Sequence, residues 1–133
     1  VIARGTTSYP AAPVLEIASL VLEAELRASR GDAPGAIARL TRAVEVEDGM
    51  SYMEPPYWPQ PVRHLLGAAL LANGRAAQAT RRYREDLDRF PENVWSLAGL
   101  ARSLAADGKA REAAAVRERL QKATAAAEVA IVR

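Results

Sequence analysis

The sequence predicts an all-α fold made of about three pairs of helices. Apolar residues recur every three or four positions through most of the chain, which is the spacing of one buried face of an α-helix. Glycines end these stretches, and the intervals are 43 positions from Gly31 to Gly74 and 34 positions from Gly74 to Gly108. A period near 34 residues that holds two helices and a turn is typical of a helical repeat array.

Composition argues against several classes of protein. The 133 residues, half of them apolar, are enough for one domain with a modest core. The chain has no cysteine and one histidine, so it offers no disulfide, no thiol nucleophile and no zinc site of the usual ligand types. No apolar run approaches the roughly 20 residues that span a bilayer. We therefore expect no membrane insertion and no cofactor.

Charge and targeting signals constrain the function less. The 18 basic and 16 acidic residues are intermixed, and a net charge of +2 does not favour nucleic acid as a partner. There is no signal-peptide pattern, and the lack of cysteine suits either redox compartment, so the cytoplasm is the default expectation. Because the chain starts at Val1 and not at a methionine, we expect a segment of a larger repeat protein.

The predicted elements follow in order along the chain. Residues 1–13, with two prolines and a glycine, predict an extended leader. A first helix is predicted from Val14 to about Arg30. A second helix begins after Asp32, a predicted N-cap, with Pro34 in its first turn. Helix, glycine turn and helix then recur twice, and the alanine-rich end of the chain favours continuation of the last helix.

The longer glycine interval contains an insertion at residues 49–59, which is rich in aromatics and prolines. Its prolines and the one that follows prevent a helix and favour an extended path: Pro55, Pro56, Pro59 and Pro61. It also holds Tyr52, Tyr57 and Trp58, more aromatic residues than a solvated linker needs. Two hypotheses are open. The insertion seals the gap between the first and second helix pairs, which we favour, or Tyr57 and Trp58 form a ligand surface.

The middle pair of helices resembles the tetratricopeptide repeat family. It matches the family's Leu-Gly pair, large residue, alanine, aromatic and proline with Leu66-Gly67, Leu70, Ala79, Tyr83 and Pro91. The third pair keeps Leu97, Leu100-Ala101, Leu104 and Ala113. It has Arg117 in place of the aromatic and Ala125 in place of the proline, which is typical of a terminal repeat. The resemblance implies a right-handed α–α superhelix with repeats at about 14–48, 60–93 and 94–127.

The first repeat fits this pattern less well. In strict register with the middle repeat, its first helix would bury Glu23 and Arg27. Burying two unpaired charges costs on the order of several kcal/mol. We therefore expect a register shifted by one residue, in which Leu22 and Leu26 face the core.

The resemblance also implies a concave groove, lined by the first helix of each repeat, that binds extended peptides or protein surfaces. The groove-facing candidates are His64, Leu71, Trp95 and Arg102. Trp95 has two interpretations, an exposed anchor for a partner or an aromatic buried between helices. Family members that bind chaperone tails carry Lys and Asn at positions that are here His64, Ala68 and Ala98, so that activity is not expected.

Sequence motifs for catalysis or nucleotide binding are lacking. One hypothesis is that Glu54 and His64 form an acid–base or metal-binding pair, but no third ligand accompanies them. We favour a histidine held by a structural hydrogen bond. The basic run Arg81, Arg82 and Arg84 lies on one predicted helix. Its spacing predicts ion pairs from Arg81 to Glu85 and from Arg82 to Asp86 on a solvated face.

The sequence as a whole favours a non-catalytic protein–protein interaction module, a scaffold or adaptor with a protein or peptide partner. The alternative is a small basic helical domain that binds nucleic acid through its arginines.

Overall fold

Six helices make up the described part of the protein. The computed structural model describes residues 9–51 and 56–131, with side chains up to residue 125 in the last helix. In chain order the helices are α1 Ala11–Ser29, α2 Ala33–Asp48, α3 Val62–Ala72, α4 Ala76–Arg89, α5 Val94–Ala106 and α6 Ala110–Ile131. These residues include no strand, so the predicted all-helical class is confirmed. The predicted continuation of the last helix is also confirmed.

Neighbouring helices pack against each other in chain order. Each helix contacts the next one, and α3 also contacts α5. Among the other described helices, α1 contacts only α2. All six contribute to one apolar core, which includes Ile17, Leu40, Leu66, Tyr83, Leu97 and Val116.

The three turn glycines have nearly the same conformation. Gly31, Gly74 and Gly108 have φ values of +79°, +72° and +75°, in the left-handed region that side chains disfavour. After each glycine, the next backbone N–H donates to the carbonyl five residues earlier, at 2.9 Å in all three turns. This hydrogen bond satisfies a carbonyl at the end of the preceding helix and turns the chain toward the next one.

Two helix starts test the predicted boundaries. Helix α1 begins at Ala11, three residues before the predicted start at Val14, because Pro13 lies in the first turn, where its missing N–H breaks no helical hydrogen bond. Residues 1–8 of the expected leader lie outside the described residues. The predicted cap of α2 is confirmed, since Asp32 Oδ1 accepts from the Gly35 N–H at 2.9 Å and Pro34 lies in the first turn.

The shifted register expected for α1 is wrong. Leu22 and Leu26 are 57% and 47% exposed, and Leu15 is 69% exposed. The side chains that α1 buries are Ile17, Leu20 and Ala24. Ala24 therefore takes the position that Gly67 has in α3, as the strict register requires.

The reason for this register is that its charges are paired. The Glu23 carboxylate lies 3.0 Å from Arg39 Nε of α2, and Arg27 Nη1 lies 2.8 Å from Asp32. Both α1 side chains are only half-buried, so their ionised forms also keep solvent contact. Neither charge is fully buried, so the penalty expected for the strict register does not arise, and the ion pairs satisfy what is desolvated.

The close approach of α3 and α4 centres on Tyr83. An added Cβ at Gly67 would lie 2.6 Å from the Tyr83 ring, and one at Gly99 of α5 would overlap the same ring. Tyr83 therefore fills the space between two helices that each carry a glycine opposite it. Gly67 and Ala79, which match the repeat pattern in the sequence, are both buried, whereas Gly99 was not identified from sequence.

The arginine run of α4 is paired with carboxylates. Arg81 Nε lies 3.0 Å from Glu85 Oε1, as predicted. Arg82 contacts Glu85 at 2.9 Å, so the predicted pair with Asp86 is wrong. Asp86 is buried and points away from the solvated face. Arg84 bonds to Glu112 of α6 at 2.8 Å.

Candidate functional site

One candidate surface lies along α5. Trp95 is 75% exposed, and Arg102 is exposed two turns further along the same face, with the half-buried Ala98 between them. The Asn93 side chain caps α5 by accepting from the N–H groups of Trp95 and Ser96, which fixes the first turn where Trp95 stands. Of the two interpretations of Trp95, the geometry agrees with the exposed one.

The two candidates on α3 are less accessible. Leu71 is half-buried and packs against the core. The His64 side chain is only 10% exposed. Its Nε2 atom lies 2.9 Å from Asp86 Oδ2 of α4 and 2.8 Å from Ser96 Oγ of α5. His64 thus joins three helices from within, and little of its side chain is accessible to a partner.

The His64, Asp86 and Ser96 cluster contains the residue types of a nucleophilic triad but not its geometry. Asp86 Oδ2 and Ser96 Oγ both lie within hydrogen-bond distance of the same ring nitrogen of His64, Nε2. Ser96 Oγ also donates to Asp86 Oδ2, at 2.5 Å. In a catalytic relay the histidine uses one nitrogen for the nucleophile and the other for the carboxylate. Ser96 is also fully buried, out of reach of a substrate. The three side chains satisfy one another's hydrogen bonds where they are enclosed between α3, α4 and α5.

The sequence hypothesis of a Glu54–His64 pair cannot be placed, since Glu54 lies outside the described residues. His64 has Asp86 as its carboxylate partner. Asp86 was not recognised as a buried residue from sequence. Its spacing of three from Tyr83 and seven from Ala79 follows the buried face of α4, and this signal would have found it.

A second candidate surface is a cleft of about 580 Å³ beneath the insertion. The end of α2, the start of α3 and the end of α4 form its floor, and residues 50–51 and 56–59 of the insertion form its wall. Among the described residues, three aromatic side chains line it: Tyr57, Trp58 and Phe90. Its volume is in the range of pockets that hold small organic ligands.

The two insertion candidates take different positions at this cleft. Trp58 is half-buried and packs against the core, together with Met50. The Trp58 Nε1–H is buried and has no acceptor among the described residues. Tyr57 contacts Tyr9 edge to face, with ring centroids 5.5 Å apart. The contacts of Trp58 agree with a seal, and its place on the cleft wall agrees with a ligand surface. Tyr52 lies outside the described residues.

Charged side chains form the floor of the cleft. Arg63 makes a two-pronged hydrogen bond to Asp48, at 2.7 Å and 2.5 Å, and Arg89 lies 2.8 Å from the same carboxylate. Glu47 is bound differently. Its carboxylate accepts from the backbone N–H of Val62, with distances of 3.1 Å and 3.3 Å to its two oxygens. Glu47 thus satisfies an N–H group at the start of α3 that has no partner within the helix.

The pKa of Glu47 is raised from 4.5 to about 7, chiefly because burial disfavours the charged carboxylate. The negative charges of Asp48 and Asp86 raise it further, whereas the Val62 N–H and the Arg63 guanidinium act in the opposite direction. Close to neutral pH the side chain therefore exists in both protonation states.

In the parent protein, the free energy of unfolding is expected to decrease as the pH rises from 4.5 to about 7, and Glu47→Gln should abolish this decrease. In this window the folded chain keeps a proton that the unfolded chain releases, so the free energy of unfolding decreases as pH rises and levels off above the folded pKa. Allowing for partial solvent exposure, Glu47→Gln should be more stable than the parent by about 1 to 2 kcal/mol at about pH 8 and near-equal at about pH 4.

Urea denaturation at both pH values measures this difference. Glu45→Gln, on the exposed side of α2, is the matched control and should follow the parent at both pH values. A Glu47→Gln variant with the same pH profile as the parent would contradict the raised pKa.

Other kinds of site find no support in the described residues. Residues 9–51 and 56–125, whose side chains the structure describes, hold no group of three or more His, Asp or Glu placed to bind a metal ion. None of their helices combines the length and apolar character needed to cross a membrane. The chain matches no protein-family model and no curated protein.

Proposed function

We propose that the protein is a non-catalytic interaction module, a scaffold or adaptor of the tetratricopeptide type, that binds an extended peptide or protein surface. The observation that carries this proposal is the exposure of Trp95. A tryptophan that is three-quarters exposed on a well-capped helix leaves a large apolar surface in water. Tryptophan and arginine are among the residue types enriched in binding hot spots, and Arg102 stands on the same face.

The finer architecture belongs to the same proposal. We take the six helices as three repeats wound into a right-handed superhelix, with α1, α3 and α5 as the first helices. The equal turns at Gly31, Gly74 and Gly108 support it, as does the direct contact between α3 and α5. The buried glycines that face Tyr83 support the close helix packing that such a repeat requires.

Nucleic-acid binding is the weaker candidate. Arg81, Arg82 and Arg84 are each paired with a carboxylate, so the run offers little unneutralised charge for phosphates. We therefore propose the α5 face as the binding surface and not the arginine face of α4.

Selection of peptides from a displayed random library against the immobilised protein tests the proposal. Selected peptides should lose about tenfold or more in affinity for Trp95→Ala, the effect of removing a hot-spot residue. Leu15→Ala, which removes another exposed apolar side chain from α1, is the matched control and should bind like the parent.

Two outcomes would contradict the α5 face. Peptides that bind Trp95→Ala and the parent equally would place recognition elsewhere on the protein. An affinity for DNA or RNA that falls by about a thousandfold between about 50 and about 200 mM salt would favour the nucleic-acid alternative.

A further inference from the structure

We propose that the cleft beneath the insertion binds an organic cation, an ammonium or guanidinium group on an apolar stem, with Glu47 as its counter-ion. The proposal is independent of the α5 face, because it concerns a different surface and a different ligand chemistry. It rests on the walls of the cleft, on the partners of its charged groups and on the position of Glu47 among them.

The walls of the cleft suit an apolar ligand that carries a positive charge. Tyr57, Trp58 and Phe90 line it, and the faces of aromatic rings attract cations as well as apolar stems. Pro56, Pro59 and Pro61 add rigid apolar surface on the insertion side. A rigid aromatic wall binds with little loss of side-chain freedom.

The charged groups that line the cleft leave one carboxylate without a cationic partner. Asp48 is neutralised by Arg63 and Arg89. Asp86 is bound by His64 and Ser96. Among the described residues, Glu47 has only the Val62 N–H as a donor, and no Arg, Lys or His lies within ion-pair distance of it. The Arg63 guanidinium acts on Glu47 from a greater distance and is bound to Asp48.

Glu47 is therefore the group that a ligand cation would satisfy. Its carboxylate accepts one backbone hydrogen bond and retains further acceptor capacity for an ammonium or guanidinium donor. The raised pKa agrees with this arrangement, since a half-buried carboxylate without a directly bound counter-ion holds its proton more tightly. A cation bound in the cleft would supply the missing charge.

Fluorescence of Trp58 provides a direct test. The chain has two tryptophans, so a Trp95→Phe background leaves Trp58 in the cleft wall as the only one. In this background, n-butylammonium is compared with n-butanol, which has the same apolar stem and no charge, at constant ionic strength. We expect n-butylammonium to bind at least tenfold more tightly than n-butanol.

Variants of two carboxylates on α2 identify the counter-ion. Glu47→Gln keeps an acceptor for the Val62 N–H but removes the charge, and it should abolish the tenfold preference for the cation. Glu45→Gln removes an exposed carboxylate from the same helix and should retain the preference. If Glu47→Gln fails to fold, the comparison of n-butylammonium with n-butanol in the parent decides whether the cleft prefers a cation.

The source of the cation is distinguished by two blocked tripeptides, Ala-Lys-Ala and Ala-Gln-Ala. A lysine peptide that binds more tightly than n-butylammonium indicates a side chain of a protein partner, and weaker binding indicates a free amine. Either result supports the proposal, provided that the glutamine peptide binds at least tenfold less tightly than the lysine peptide. Equal binding of n-butylammonium and n-butanol, or a preference that survives Glu47→Gln, would overturn it.

Discussion

Replacing Tyr83 by alanine is expected to lower the free energy of unfolding by about 3 to 5 kcal/mol, the range for truncation of a buried aromatic. The ring is buried between α3 and α5, where the facing residues Gly67 and Gly99 have no side chains that could move into the space left behind. A cavity would therefore remain between α4 and both neighbours. Urea denaturation of the variant and the parent measures the loss.

Two further variants separate packing from other causes. Tyr83→Phe keeps the ring and removes only the hydroxyl, so it should cost less than about 1.5 kcal/mol, the upper end for loss of one hydrogen bond. Gly99→Ala should destabilise by about 1 to 3 kcal/mol through overlap with the ring, although the same change in an ordinary helix stabilises by about 1 kcal/mol. A stabilised Gly99→Ala variant would show that the ring does not lie against this position.

Replacing Trp58 by alanine is expected to lower the free energy of unfolding by about 3 kcal/mol or more, because the indole packs against the core and anchors the insertion to it. Trp95→Ala is the matched control. It removes the same side chain from an exposed position and should change stability by less than about 0.5 kcal/mol. Thermal unfolding of both variants gives the comparison.

The stability of Trp58→Ala distinguishes the two hypotheses for the insertion. A seal between the helix pairs requires a large loss of stability in Trp58→Ala. A Trp58→Ala variant that melts like the parent would show that the indole does not hold the insertion on the core, and would leave the ligand surface as the role of this segment.

The parts of the fold that sequence predicts are those fixed by local chemistry. A glycine that ends an apolar stretch signals a left-handed turn, and Gly31, Gly74 and Gly108 all adopt it. Asp32 followed by Pro34 signals a helix start in the same local way. Both depend on residues within one turn of each other, so no knowledge of the tertiary structure is needed.

The predicted register of α1 was wrong because the register depends on contacts with another helix. Glu23 lies half-buried at the edge of the helix contact, and its partner Arg39 is brought close only when α1 packs on α2. The same holds for Arg82, whose predicted partner Asp86 is taken by His64 and Ser96. Local spacing gives the possible partners of a charge, and tertiary packing selects among them.

The candidate surfaces divide in the same way. The exposed position of Trp95 was one of two interpretations of a helical pattern, and it required the structure to decide. The cleft could not be predicted, because it forms only where the insertion covers the ends of three helices. Glu47 carried no sequence signal, since its burial arises from that cover and its hydrogen bond reaches the start of the next helix.

The pattern of helix contacts has a consequence for local opening of the chain. Helix α1 contacts only α2 among the described helices, whereas α3 contacts α2, α4 and α5. Opening α1 therefore exposes one interface, and opening α3 exposes three, so the two helices differ in the free energy of local unfolding. Amide hydrogens of α1 should exchange with solvent by separation of α1 from α2 alone, while those of α3 and α5 exchange only when most of the domain unfolds.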